Sequence, residues 1–277
     1  MVSVLGALVG GDAAGWDRCV EQAREIFQGV VYGCQKLTMT DEGGGVIHWV
    51  RVDLTAPGIT LYVTPLDPEA VAQGWQYRLR RIADVTDSEH LAVAINASMF
   101  DSNFGWRPRW WPRLSGDLAN GVETVVADHI VAPGSFNTSL LWFDNELTPH
   151  MVSTRSLAAT GLGQAKWAIS GGEVRLHDGV VWPGSGRPPE SRTAVAVNEQ
   201  RKLLFLAVGR WISQRRVLEL LANLGAKDGM LLDGGGSSAM AIGQGAADAS
   251  AGTVFGGWRP VATYFGIKAE PVGTAGY

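Results

Sequence analysis

The stretch of this chain best equipped for chemistry is Leu231-Leu232-Asp233-Gly234-Gly235-Gly236-Ser237-Ser238, a carboxylate followed by three glycines and two hydroxyls. Consecutive glycines cost conformational entropy on folding, and no packing demand accounts for this run. They let main-chain N–H groups approach a bound anion, with Asp233 beside them as an acid, a base or a charge partner. A tight turn after a buried strand is the alternative reading of the same residues.

Other stretches could join it. The apolar run Leu91-Ala92-Val93-Ala94-Ile95 ends on Asn96, with Ala97-Ser98-Met99-Phe100-Asp101 following. Polar groups at strand ends are where sheets place their sites, although a buried asparagine satisfied by turn backbone fits equally. Arg192-Thr193 opens an apolar strand after the Pro/Gly-rich loop 184–191, and Arg259 follows Gly256-Gly257-Trp258 just before another. Phe104 to Arg113 reads as a loop that interleaves Trp106, Trp110 and Trp111 with Arg107, Arg109 and Arg113. Aromatic faces stack on sugars and arginine forks recognise phosphate; the same tryptophans could instead fold back into the core.

The elements that must position these residues are mostly strands. A helix is expected over 12–28, with Asp12 as N-cap and Trp16, Val20, Ala23 and Phe27 at helical spacing. Val46–Thr55 and Ile59–Thr64 read as a hairpin-like pair across Pro57-Gly58. Asp67-Pro68-Glu69 starts a helix, and Arg78, Arg80 and Arg81 read as a solvated helix face. Strands follow at 122–126, 130–131, 139–143, 166–169 and 174–182. Between Lys202–Val208 and the strand 229–232, Ser213 caps a helix with the stripe Val217, Leu220, Leu221 and Leu224, closed by Gly225. That unit predicts a right-handed crossover between parallel strands, delivering Asp233 to a sheet edge. The expected fold class is α+β, a mixed β-sheet core with a few packing helices and a strand–helix–strand crossover near 202–232. A helical appendage at 1–44, one domain at 45–270 and a tail at 271–277 complete the organisation.

Composition sets bounds. The chain has 277 residues, 46% hydrophobic and 18% charged, enough for a substantial core. A net charge of −4 argues against nucleic acid as a partner, and no segment is long enough to span a membrane. The apolar start lacks the basic flank of a signal peptide. Cys19 and Cys34 have no metal-ligand spacing; they could form a disulfide in a secreted protein, or remain buried thiols. His48, His90, His129, His150 and His177 are scattered and read as structural. The sequons at Asn96 and Asn137 matter only in a eukaryotic secretory protein.

Taken together, Ala94-Ile95-Asn96-Ala97-Ser98-Met99-Phe100, Ser191-Arg192-Thr193-Ala194-Val195, Leu232-Asp233-Gly234-Gly235-Gly236-Ser237-Ser238 and Arg259-Pro260-Val261 resemble the phosphodiester glycosidase family in order and spacing. The family usually carries Asn-Gly-Gly-Phe-Phe where this chain has Asn96 to Phe100. The resemblance implies a hydrolase acting between a sugar anomeric carbon and a phosphodiester, located outside the cytoplasm. Arg192 and Arg259 would bind phosphate, supported by Gly234, Gly235, Gly236 and Ser237. Asp233 would activate water or stabilise the anomeric centre, Asn96 would orient a sugar hydroxyl or the phosphate, and Asp101 would be a second carboxylate. The tryptophan-arginine loop 104–113 is not part of the family pattern; read from its own residues, it would tune the substrate, with Trp106 and Trp110 contacting a sugar. A phosphate leaving group is already stable as an anion, so strong acid assistance matters less than in ordinary glycosidases. No cofactor is required, although Asp233 with nearby oxygens could hold Ca²⁺ or Mg²⁺. The competing readings are hydrolysis of an ordinary glycoside in an exported polysaccharide, and a non-catalytic module that binds anionic glycans. Oligomeric state is left open.

Overall fold

The computed structural model describes residues 19, 21–103, 111–136, 138–153, 161–183, 187–247 and 251–273. The main sheet has eight strands, in the order Arg24–Phe27, Val30–Thr40, Gly43–Asp53, Leu203–Ile212, Glu190–Val197, Asp228–Leu231, Val174–His177 and Val180–Val181. Period-2 alternation gives this sheet two buried faces. Leu204, Leu206, Val208, Val195 and Val197 point into the central core, while Phe205, Ala207, Ala194 and Ala196 face the helix Gln214–Asn223. The Ser213 hydroxyl caps that helix by accepting from Arg216 N at 3.1 Å, and Gly225 leaves it at φ +102°. Val217, Leu218 and Leu221 are fully buried beneath it; each contributes roughly 1.5–3 kcal/mol.

A five-stranded sheet, Gly252–Phe255, Met240–Ile242, Val93–Asn96, Tyr264–Lys268 and Thr60–Val63, closes the other side of the core. A second five-stranded sheet contains Val125–Ala127, Trp167–Gly171 and Ser139–Phe143, and a three-stranded one contains Phe100–Ser102 and Leu118–Gly121. Ile95, Met240, Phe265, Phe143 and Ile169 meet the main sheet in one cluster.

Helices are few, so the α+β expectation holds only in a strand-dominated form. Among the described residues every strand pairing is antiparallel, which corrects the expected mixed sheet. Leu203–Ile212 and Asp228–Leu231 both lie antiparallel to Glu190–Val197, one on each side of it. They run the same way without pairing, because the helix carries the chain over an intervening strand. The expected helix over 12–28 is corrected where it is described. Arg24–Phe27 is a strand whose irregular register at Glu25 and Phe27 lets consecutive Ile26 and Phe27 both reach the core. Residues 30–40 pair along Gly43–Asp53, so they are part of the sheet rather than a helical appendage. The hairpin across Pro57-Gly58 does not form: Gly43–Asp53 stays in the main sheet, while Thr60–Val63 pairs with Tyr264–Lys268. Arg78 lies on the strand Tyr77–Arg78, and Arg80 bonds Ser88 Oγ and Glu89 instead of standing on a solvated helix face. Cys19 and Cys34 form a disulfide, with Cα atoms 5.6 Å apart.

Candidate functional site

The site is assembled where strands from both sides of the core end together. Asp233 leaves the strand Asp228–Leu231 with its N–H bonded to Ala97 O at 3.0 Å. Asn96 holds the same junction. Its Nδ2 donates to Asp233 O at 2.7 Å, and its Oδ1 accepts from Thr193 Oγ1 at 2.7 Å and Ala239 N at 3.0 Å. At 1% exposure, Asn96 is a brace between three chain segments, which corrects its expected role as a direct ligand of sugar or phosphate. Its sequon is likewise closed to modification in the folded chain.

Asp233 lines a cleft of about 490 Å³ with Arg192, Glu190, Gly234, Gly235 and Glu123. Burial raises the Asp233 carboxyl above the ordinary range; the Ser237 hydroxyl, the Gly234 N–H at 3.0 Å and the Arg113 charge pull it back, and Glu190 opposes them. Gly235 sits at φ +60°, where an L side chain is strained. A Cβ on Gly236 would stand 2.9 Å from Arg259 Nη1, and one on Gly234 would stand 3.9 Å from Arg192 Nη1. The two expected arginines therefore flank the glycine turn from opposite ends.

Arg192 is 5% exposed. Its Nη1 is paired with Glu190 and its Nη2 donates to Pro188 O at 3.0 Å, while its buried Nε has no partner. Burial lowers its guanidinium from the ordinary arginine value, with Glu190 acting against that shift. An unmatched buried donor is costly, and an anionic oxygen in the cleft would satisfy it.

Glu123 is the residue that sequence reasoning missed. It precedes Val125–Ala127 and is fully buried, with Oε2 accepting from Met99 N at 2.9 Å and Oε1 unpartnered. Burial pushes its carboxyl up to about 7; the Met99 N–H works against this and the Asp233 charge adds to it. Ser98 and Ser170 set the backbone around it: Ser98 Oγ donates to Ser170 O at 2.9 Å, and Ser170 Oγ donates to Thr124 O at 2.5 Å. The signal available in sequence was a lone carboxylate inside a β-branched run, Val122-Glu123-Thr124-Val125.

Asp101 is not brought into the cleft. It is exposed on Phe100–Ser102 and borders another pocket with Asn120 and Gly121, which corrects its expected role as a second carboxylate. Its charge acts on Arg113, whose guanidinium burial lowers while Asp233, Asp101 and Asp117 raise it. Arg113 Nε donates to Ser102 Oγ at 2.8 Å. Trp106 and Trp110 lie outside the described residues. Among the described residues, no group of three or more His, Cys, Asp or Glu side chains is placed to hold a metal ion.

A family model described as phosphodiester glycosidase matches residues 90–268. No curated protein matches the chain by sequence. Among solved structures, the zebrafish N-acetylglucosamine-1-phosphodiester alpha-N-acetylglucosaminidase catalytic domain, auto-inhibited by its pro-peptide, superposes with a TM-score of 0.57 at 15% identity, covering 95% of this chain and 94% of that one. A hypothetical protein from Synechocystis superposes at 0.56 with 13% identity, over 87% of this chain and 62% of that one. Both share the fold.

Proposed function

This chain belongs to the phosphodiester glycosidase family, and from that premise we propose that it hydrolyses the bond between a sugar anomeric carbon and a phosphodiester oxygen. One observation carries the reading: Glu123 and Asp233, whose charge acts on Glu123, border one cleft with an arginine whose Nε is unmatched. Two carboxylates held in different environments divide the acid and base roles between them.

Asp233 has an N–H, a hydroxyl and a guanidinium supporting its anion, whereas Glu123 has one N–H. In this reading Glu123 carries the proton and Asp233 acts as the carboxylate. Arg192 Nε and the bare main chain of the glycine turn receive the phosphate, with Arg259 at the turn's far end. As the C–O bond breaks, positive charge grows at the anomeric carbon, where Asp233 stabilises it and draws a proton from the attacking water. The electron pair of the C–O bond leaves on the phosphate oxygen. Glu123 hydrogen-bonds that oxygen or protonates it. A diester R–O–PO₂⁻–O–sugar and water give the free sugar and the phosphate monoester of R–OH. In this reading the guanidinium groups of Arg192 and Arg259 hold the phosphate without a metal or other cofactor.

Support for N-acetylglucosamine as the sugar comes from the zebrafish relative's activity. The Cys19–Cys34 bond supports an oxidising, extracytoplasmic location. The test is product detection from N-acetylglucosaminyl-1-phosphodiesters beside aryl N-acetylglucosaminides. Release of sugar and phosphomonoester from the diester alone supports the reading. Cleavage of the aryl glycosides alone would replace it with ordinary glycoside hydrolysis, and no cleavage of either would leave the module that only binds.

A further inference from the structure

A carboxylate of the chain already stands where the hydrolytic reading seats the phosphate. Glu190 and Arg192 lie two residues apart on one strand, so both side chains face the cleft, while Ser191 between them borders a separate pocket. One Glu190 oxygen, Oε1, is paired with Arg192 Nη1. The other faces the turn: Oε2 lies 3.6 Å from the position a Cβ on Gly235 would take. The turn itself rests on this strand, since a Cβ on Gly234 would stand 3.1 Å from Ser191 O. The Glu190 carboxylate therefore spans the guanidinium and the bare main chain that receive the phosphate.

The two partners differ in freedom. The Arg192 side chain is 6% exposed and anchored on Pro188 O at 3.0 Å, whereas the Glu190 side chain is 45% exposed. Glu190 is the member that can swing away. Its charge also reaches Asp233, on which it acts in the same sense as burial. Elsewhere in the cleft Glu173 and Arg175 pair at 2.8 Å, and the Arg187 charge acts on Arg192. An arriving diester carries one negative charge, so it replaces the displaced carboxylate at Arg192 charge for charge. A phosphate monoester carries close to two at neutral pH. Its second charge meets Glu190 and Asp233, and like charges at this range repel.

We propose that Glu190 is a specificity residue: its carboxylate holds the phosphate seat in the free protein, swings aside for a singly charged diester, and excludes doubly charged phosphates. The place of the seat rests on the hydrolytic reading above. Sugar 1-phosphates with a free terminal phosphate are then poor ligands. The monoester formed by cleavage is expelled instead of staying as an inhibitor.

The experiment titrates the wild type and Glu190→Gln at pH 8 with dimethyl phosphate, which carries one charge, and methyl phosphate, which carries two, followed by phosphorus NMR. The wild type is expected to favour dimethyl phosphate. The glutamine variant is expected to shift the ratio of the two affinities toward methyl phosphate by about tenfold, the scale of one partly screened like-charge contact. Glutamine keeps the size of the side chain, so a merely structural Glu190 would leave that ratio untouched. Adding Arg192→Ala to the variant is expected to abolish the gain. An unchanged ratio, a gain that survives the loss of Arg192, or no binding of methyl phosphate to the variant would overturn the proposal. The titration needs no turnover. If N-acetylglucosaminyl-1-phosphodiesters are not cleaved, the reaction has been misread, and the affinity ratio still decides the role of Glu190.

Discussion

Replacing Glu123 by Gln separates its chemical role from its structural cost. The folded carboxyl sits at about 7 against an ordinary value of 4.5. At roughly 1.4 kcal/mol per pH unit, this rise corresponds to about 3 kcal/mol of differential stability. The group is raised in the folded state, so its favourable contribution is complete below pH 4.5 and is lost as pH climbs through about 7. Glutamine keeps an oxygen for the Met99 N–H and cannot ionise. The variant is therefore expected to match the wild type near pH 4 and to exceed it by up to about 3 kcal/mol at pH 8. Urea unfolding at both pH values measures this. Turnover moves the other way, with kcat falling on the order of 10²–10⁴-fold if Glu123 supplies the proton. The wild-type rate is expected to decline as pH rises through about 7, where Glu123 loses that proton. A variant with unchanged activity and the same pH dependence of stability would refute the assignment of Glu123 as the buried acid.

Other substitutions probe the remaining roles. Asp233→Asn should preserve folding and cut kcat by on the order of 10²–10⁴-fold; wild-type turnover in that variant would remove Asp233 from the mechanism. Arg192→Ala should act mainly on diester affinity, raising KM with a smaller change in kcat, and an unaltered KM would dissociate the guanidinium from phosphate binding. Replacing Cys19 and Cys34 by serine opens a 15-residue separation, for which loop entropy predicts a loss of about 3 kcal/mol; equal denaturation midpoints with and without the bond would contradict this. Chelation by EDTA should leave the rate unchanged, and a rate restored by added Ca²⁺ or Mg²⁺ would bring a metal into the site.

What the sequence revealed was local. Ser213 and Gly225 mark the ends of one helix because a cap bond and a positive φ depend on neighbouring residues. The runs ending at Asn96 and Asp233 are visible as strands because burial on both faces makes them continuously apolar. Partners were hidden wherever they lay far away in the chain. Pro57-Gly58 resembles a hairpin turn, yet Val63 pairs with Phe265, and no local rule predicts a partner at that distance. Trp16, Val20, Ala23 and Phe27 share helical spacing, but pairing with Val30–Thr40 turns the last of them into a strand. Glu123 escaped notice for the same reason. A glutamate in a β-branched run normally faces water, and the burial of this one, with the Met99 N–H on its Oε2, comes only from the fold.

The position of Asn96 explains how an all-antiparallel set of sheets can hold a site that precise. An asparagine has two donors and two acceptor sites. Here the oxygen takes Thr193 and Ala239 while the nitrogen fixes the carbonyl of Asp233 itself. One side chain thereby locks the main sheet, the opposing sheet and the start of the glycine turn into a common register. Ser98 extends the same lock toward Glu123 by bonding both the N–H and the carbonyl of Ser170. The Asn-to-Phe segment then serves chiefly to hold the two carboxylates at fixed places. The hydroxyl of Ser98 supplies a further strut. Precision comes from these buried amides and hydroxyls.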